Sequence, residues 1–437
     1  MKSMSDNDCS ESIIDDILRK GSGLADETEV YFSKGSGVNL ELKGKLIGEA
    51  SGSDSWGIGI RIIKDGRIGC SSTNDPKRWE KCLLSALSGA KLSTPQNWEG
   101  LSQPCPLPDI SPDVFDKNLS CDISAAKSFI ERMLLGASEY DASIVGGSAS
   151  LSKGKSTIAN SNGVFYSLEK TGAGVSMETI AAASTGYEFD SSVYAGKIDP
   201  EKTGREASSL AVFSKDAGEI KTGRYDVILS PIAVCQLAGS VLLPSLSGKS
   251  VNSKRSFLSG KLGEECFDKN LNVFDDPFNG PGSTLRDSEG VLTRKIDFIK
   301  SGVVKEFAYD LKTAYRYNQS STGSAVRAGA GGGPAIGFHN IYIDGKRENI
   351  FDEEAVYAHT VVGAHTANPV SGDFSVELSN AAWMKDNEKT KPIKSAMLSG
   401  NIFEMLGNIS GISEESRELG GMTVPSIRFS DLSVVGN

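Results

Sequence analysis

Apolar residues recur at helical spacing in several stretches. Ile13, Ile14, Ile17 and Leu18 mark one face of a helix over Ser10–Lys20, with Gly21 as a natural stop. A second helix is predicted from Pro76 to about Lys91, carrying Trp79, Cys82, Leu83 and Leu87, and a third from Ser124 to Ala137. A fourth is expected over Asp199–Phe213, where DPEKTG offers an Asp cap with Pro in the first turn. Between these the pattern alternates with period two. EVYFSKG, VNLELKGKLIGEASG and WGIGIRIIKDGRIGCSSTND read as strands, the last a hairpin turning at Asp65-Gly66. Turns are expected at Gly146-Gly147, Asn162-Gly163 and Gly172.

The densest apolar unit is YDVILSPIAVCQLAGS, Tyr225 to Ser240. A short β-rich run meets Pro231, whose fixed φ and missing N–H suit the first turn of a helix. A buried helix is predicted from Ile232 to about Leu243, ended by Pro244. Beyond it come strands punctuated at Asn279-Gly280, Glu289-Gly290 and Ser301-Gly302, and NIYIDGKREN reads as a hairpin. Two or three strands are expected in 355–385, a helical run over Ser395–Leu406 and a last strand near Ile427–Val435. Thr94 to Pro112 holds five prolines, too many for a regular element, and reads as a linker or edge crossing. The fold class is α+β: an N-terminal α+β domain, and a C-terminal domain dominated by antiparallel sheet around the buried helix. The divisions fall at 1–104, 105–222 (a central α+β segment packed with the first) and 223–437.

Charge and cysteines narrow the function. With 46 Lys and Arg against 56 Asp and Glu the net charge is −10, which argues against bare nucleic acid, whose phosphates need a basic surface. The seven cysteines (9, 70, 82, 105, 121, 235 and 266) form no CxxC pair, and MKSMSDNDCSESIIDDILRK lacks the apolar core of a signal peptide. Reduced thiols and a cytoplasmic location are expected. No apolar run of about 18 residues exists, so no membrane span is expected.

Three stretches occur in family order: YDVILSPIAVCQLAGS, FDDPFNGPGSTLRDSEGVL and HTANPVSGDFS. On these the chain resembles the TldD/PmbA family of proteases, also labelled modulators of DNA gyrase. Catalytic members of the TldD type carry HExxxH on the central helix. Here those positions read Cys235, Gln236, Leu237, Ala238, Gly239 and Ser240. Cys235 is a possible zinc ligand, Ser240 a poor one, and Gln236 cannot act as a base. Positions 235 and 240 stand about 140° apart on a regular α-helix, so even histidines there require a local bulge. Catalytic relatives add a later cysteine ligand, and none follows Cys266.

The resemblance implies a TldE (PmbA-type) subunit with no metal and no catalytic residues of its own. It implies pairing with a TldD-type catalytic subunit that holds zinc, and action on peptides or unfolded protein. This chain would supply channel walls and an interface. The turn-rich stretch His365, Asn368, Pro369, Ser371, Gly372 and Asp373 is the expected channel lining: side-chain hydrogen bonds, a rigid proline, and a glycine open to close approach or positive φ. Two other classes stay open. One is a stand-alone peptide-binding protein without hydrolytic activity. The other is a hydrolase with its own nucleophile, for which Ser371, His365 and Asp373 supply triad residue types without a GxSxG elbow. His359 and His365 share an even spacing and could face one way as a metal pair, although a pocket rim or interface is the commoner setting for such histidines. The run Gly329, Gly331, Gly332, Gly333 lacks GxxxxGK[ST] and reads as a loop.

Overall fold

The computed structural model describes residues 6–436; Cys9 lies among residues whose side chains are outside that description. The chain opens with α1 (Asp6–Ser22), β1 (Glu27–Lys43), β2 (Leu46–Lys64), β3 (Arg67–Thr73) and α2 (Trp79–Leu92). Then follow α3 (Ile123–Ala137), β4 (Ser143–Asn160), β5 (Phe165–Ala181), β6 (Ser184–Ser192) and α4 (Pro200–Ser214). The strands on both sides of the Pro-rich segment form one antiparallel sheet, ordered β3-β2-β1-β4-β5-β6. Strand pleating sorts its two faces. Val30, Phe32, Leu40 and Leu42 of β1 point to one face, the first pair buried among residues of α1 and α2 and the second among residues of α3. Glu29 and Tyr31 point the other way, where both meet Arg327 of the C-terminal half.

Caps hold these helices where the sequence placed them. The Asp122 carboxylate accepts from Ala125 N and that of Asp199 from Lys202 N, with Pro200 at the first helical position. α3 and α4 touch backbone to backbone. A Cβ on Gly136 would lie 1.9 Å from the Glu201 carbonyl, and one on Gly204 would lie 2.0 Å from that of Met133. Only glycine fits both positions.

The second sheet has fourteen strands. It contains β7 (Gly218–Glu219) and β8 (Gly223–Leu229), and β8 lies between the long last strand, Met422–Val435, and Ala355–Ala358. Most pairings are antiparallel; Ile341–Asp344 runs parallel to Met422–Val435, and Ala355–Ala358 parallel to β8. The chain then enters α5 (Pro231–Leu237), buried in the largest apolar core.

Several expectations are corrected. Gly146, Gly147 and Gly172 are not turn residues but lie inside β4 and β5, where neighbouring strands leave little room: a Cβ on Gly147 would meet the Ser176 carbonyl at 2.7 Å. NIYIDGKREN is not a hairpin, since Ile341–Asp344 pairs with Asn272–Asp275 and with the last strand instead. Ser395–Leu406 is strand (Met397–Asn401) and then a short helix (Ile402–Leu406), because 397–401 pairs with Asp373–Ser379 on one side and the last strand on the other. The region 355–385 holds four strands.

The Pro-rich segment has no regular structure, yet it is clamped into the seam between the halves. Trp98 Nε1 donates to Glu27, Ser102 Oγ to the Glu289 carbonyl, and Tyr315 Oη to the Gly100 carbonyl. Beneath it lies a buried ion network. Arg61 reaches Glu29 and Glu289, both at 2.5 Å, and Arg327 also reaches Glu29.

Candidate functional site

β8 delivers the chain to the central helix through Ser230. Its hydroxyl accepts from Ile232 N and Ala233 N, capping the helix, and donates to the His359 carbonyl. After Leu237 the helix widens. Residues Ala238–Leu242 form a π-helical turn in which Leu243 N–H bonds to the Ala238 carbonyl, and a last short turn, Leu243–Ser245, carries the chain just past Pro244. Ile232, Ala233, Val234, Leu237, Ala238, Val241 and Leu242 are buried, whereas Cys235, Gln236, Gly239 and Ser240 lie toward the accessible side.

The three degenerate motif side chains are each engaged within the chain. Cys235 Sγ contacts Met422 Sδ at 3.5 Å, and burial pushes its thiol up, away from the thiolate a metal requires. Gln236 Oε1 accepts the Val361 N–H at 2.9 Å. Ser240 Oγ donates to the Gln236 carbonyl at 2.8 Å, one turn back. A zinc site needs three nitrogen, sulfur or oxygen ligands in a tetrahedral arrangement. One protonated thiol, one amide and one hydroxyl already bonded to the backbone do not fit it. Among the described residues no group of three or more His, Cys, Asp or Glu side chains stands ready for a metal ion.

A cavity of about 330 Å³ opens at the N-terminus of this helix, against Ser230, Pro231 and Ile232. Its polar centre is Glu188, from β6, which is 2% exposed. Arg417 Nη2 lies 2.6 Å from one carboxylate oxygen, and His359 Nε2 lies 3.3 Å from the other. The His359 contact has the separation of an ion pair without the alignment of a hydrogen bond, so its buried Nε2 has no hydrogen-bond partner among the described residues. Burial alone would raise the Glu188 carboxyl; the contacts and charge of His359 and Arg417 overcome it and bring the group down to about 2. Lys389 sits 4.3 Å from the Tyr357 ring centre, and burial lowers its ammonium and raises the phenol. A neighbouring cleft of about 610 Å³ shares Glu188, Glu206 and Arg417 and runs past Phe278, Asn279, Gly280 and Pro281. The NGPGS stretch therefore forms one wall of this cleft. The arrangement suits binding of an extended polar chain: paired charges of both signs, an unsatisfied imidazole and two aromatic rings along one seam.

The stretch 365–375 is a tight, mostly exposed turn that runs into the strand Asp373–Ser379, with Ala367, Gly372 and Phe374 buried. Asn368 Oδ1 accepts from Val370 N and Ser371 N, Gly372 N donates to the Asn368 carbonyl, and Gly372 has φ +90°. Asn401 Nδ2 ties the Ser371 carbonyl to Asp373. The Ser371 hydroxyl donates to Asp373 Oδ2 at 2.6 Å, which holds that carboxyl below its usual range. Asn368, Ser371, Gly372 and Asp373 thus come together in one hydrogen-bonded unit. Pro369 and His365 are exposed beside it. His359 is buried at the Glu188 cavity and His365 is exposed on the following turn, so the two differ in setting. Glu188, Tyr357, Lys389 and Arg417 carried no local sequence signal; Glu188 and Arg417 are 229 residues apart.

Comparison with known proteins agrees with this architecture. Residues 28–90, 116–213 and 222–436 match models of the PmbA/TldA metallopeptidase domain 1, central domain and C-terminal domain. An uncharacterized protein of Methanocaldococcus jannaschii is 30% identical over 419 residues, spanning 95% of this chain and 98% of its own. Metalloprotease PmbA of Escherichia coli O157:H7 is 23% identical over 444 aligned positions, spanning 98% of this chain and 96% of its own. The crystal structure of TldE from Thermococcus kodakarensis superposes with a TM-score of 0.88 at 26% identity, spanning 97% of this chain and 100% of that one. By its three domain matches and its end-to-end likeness to these relatives, the chain belongs to the TldD/PmbA metallopeptidase family.

Proposed function

We propose that this chain is the subunit without a metal site in a TldD/TldE-type heterodimeric metalloprotease that degrades or trims unfolded peptides. The TldD-type partner holds the zinc and the base, and this chain supplies channel wall and interface. The observation that carries the reading is the engagement of Cys235, Gln236 and Ser240 by Met422, Val361 and the helix backbone. The likeness to TldE of Thermococcus kodakarensis supports it. In the assembled pair, the turn of His365, Asn368, Pro369, Ser371, Gly372 and Asp373 and the Glu188 cleft line the peptide path. The Ser371 hydroxyl bonds to a carboxylate and not to an imidazole, which favours a wall over a nucleophile.

Co-expression with TldD-type proteins, followed by co-purification, zinc analysis and peptidase assay, tests this. The expected result is a stable pair with zinc and activity that follow the partner, and a chain that holds no stoichiometric zinc when purified alone. Tightly held stoichiometric zinc in the isolated chain, lost on Cys235→Ala, would overturn it. Peptide hydrolysis by the isolated chain would overturn it as well.

A further inference from the structure

A separate cavity of about 230 Å³ lies on the opposite side of the N-terminal sheet from its helices, where β1, β4 and β5 face the C-terminal half. Register sets its wall. Tyr31, Ile158 and Tyr166 are cross-strand neighbours on β1, β4 and β5, and Leu168 and Lys170 continue the same face of β5. The neighbours of Lys170 across the sheet are Gly154 and then Gly35, so no side chain crowds it from that side. Segments 284–288 and 325–327 close the other wall.

The charges of this cavity do not balance. Among the described residues Lys170 has no hydrogen-bond or ion-pair partner, and burial brings its ammonium down to about 8, which leaves it mostly charged at neutral pH. Arg286 is buried, and among the described residues its guanidinium reaches no carboxylate: its partners are the Gly290 and Cys105 carbonyls and the Cys105 sulfur. Arg327, also at this cavity, is already neutralised by Glu29. Among the described residues the one carboxyl lining the space is Asp287; burial and the neighbouring Glu289 push it well above the usual carboxylate range, and its oxygens accept from the N–H groups of Glu289, Val291 and Ala325, so it supplies little counter-charge. Ser288 Oγ is buried with no hydrogen-bond partner among the described residues. Two cations without counter-ions and an orphan hydroxyl at one small space are costly unless something supplies acceptor oxygens.

We propose that this cavity is a binding site for an organic carboxylate: Lys170 and Ser288 hold the carboxylate, the field of Arg286 stabilises it, and Ile158, Leu168 and the tyrosine rings receive its apolar part. The apolar wall is what favours an organic acid over inorganic phosphate. This goes beyond the peptidase reading, since no residue of the central helix or the Glu188 cleft takes part.

Isothermal titration of the full chain with sodium butyrate, n-butylamine and inorganic phosphate tests it. Saturable butyrate binding, weaker phosphate binding and no butylamine binding are expected. Lys170→Met should weaken butyrate by about tenfold or more while Lys170→Arg retains it. Lys170→Met should also keep or raise the thermal midpoint, since it removes a half-buried unpaired charge, so lost binding cannot be laid to lost folding. Absence of saturable butyrate binding, equal binding by Lys170→Met, or phosphate binding as tight as butyrate would overturn the proposal. Two peptide competitors identify the source of the acid. Displacement by a free-acid tetrapeptide ending in Leu, and not by its C-terminal amide, assigns the site to a peptide C-terminus; no displacement by either assigns it to a free small acid.

Discussion

Replacing Arg61 by Met removes the cation at the centre of the seam while keeping an unbranched side chain of similar reach. The magnitude follows from what is left behind. Arg61, Glu29 and Glu289 are 3%, 1% and 0% exposed, so water cannot substitute for the lost guanidinium. Glu29 keeps Arg327. Among the described residues Glu289 keeps only the Leu311 N–H at 2.7 Å and loses its cation. One uncompensated buried carboxylate costs about 3–5 kcal/mol, of which the new apolar packing of Met returns a part. We therefore expect Arg61→Met to lower stability by about 3 kcal/mol, more than a hundredfold in the unfolding equilibrium. Adding Glu289→Gln removes the orphan charge, so the double variant should be more stable than Arg61→Met alone. Guanidinium unfolding followed by fluorescence reports this directly, because Trp98 lies 5.3 Å from the Arg61 guanidinium. A loss under about 1 kcal/mol, or additive effects of the two substitutions, would refute the assignment of this network as the tie between the halves.

Other outcomes follow from single contacts. The folded-state Glu188 carboxyl lies below its unfolded value, so its contribution is present above about pH 4.5 and is lost as pH falls toward about 2; acid unfolding of Glu188→Gln should lack that part of the pH dependence seen for the wild type. Gly136→Ala drives a methyl into the Glu201 carbonyl and should cost about 1–3 kcal/mol, read as a lower thermal midpoint. Gly372→Val meets the Phe403 ring at 2.4 Å at a φ of +90°, and should lower both stability and peptide turnover by the assembled pair. Ser371→Ala should leave most turnover intact in the same assay; its abolition would replace the wall reading with a nucleophile.

The sequence made local structure readable and long-range structure obscure. Caps and turns depend on residues within one turn of each other, so Asp199 with Pro200, Pro231, Asp65-Gly66 and Asn162-Gly163 could be placed from the sequence alone. Glycine was ambiguous, because the same residue serves a turn or a crowded strand. Gly147 and Gly172 belong to the second case, and only the neighbouring strands reveal it. The apolar run 395–406 was legible as apolar but not as half strand, since its partners are 373–379 and the C-terminal strand. The motif positions 235, 236 and 240 were found from family likeness. Glu188, His359 and Arg417 meet only because β6 packs against strands of the other half, and no spacing announces that.

The π-helical turn links the degenerate motif to the proposed channel. Residues five apart cannot share a face on a regular α-helix, and i→i+5 bonding brings them to adjacent turns. Here Cys235 precedes that widened segment and Ser240 lies within it, and neither is a histidine, so no histidine–metal pair holds the widening. Ser240 bonds the Gln236 carbonyl, and Gln236 pins Val361 within the strand that leads to the 365–375 turn. The side chains at the motif positions thus act structurally, coupling the helix to the segment that carries the proposed channel turn. Side chains spent on internal bonds at these three positions are unsuited to activate water, in keeping with the proposed role of channel wall.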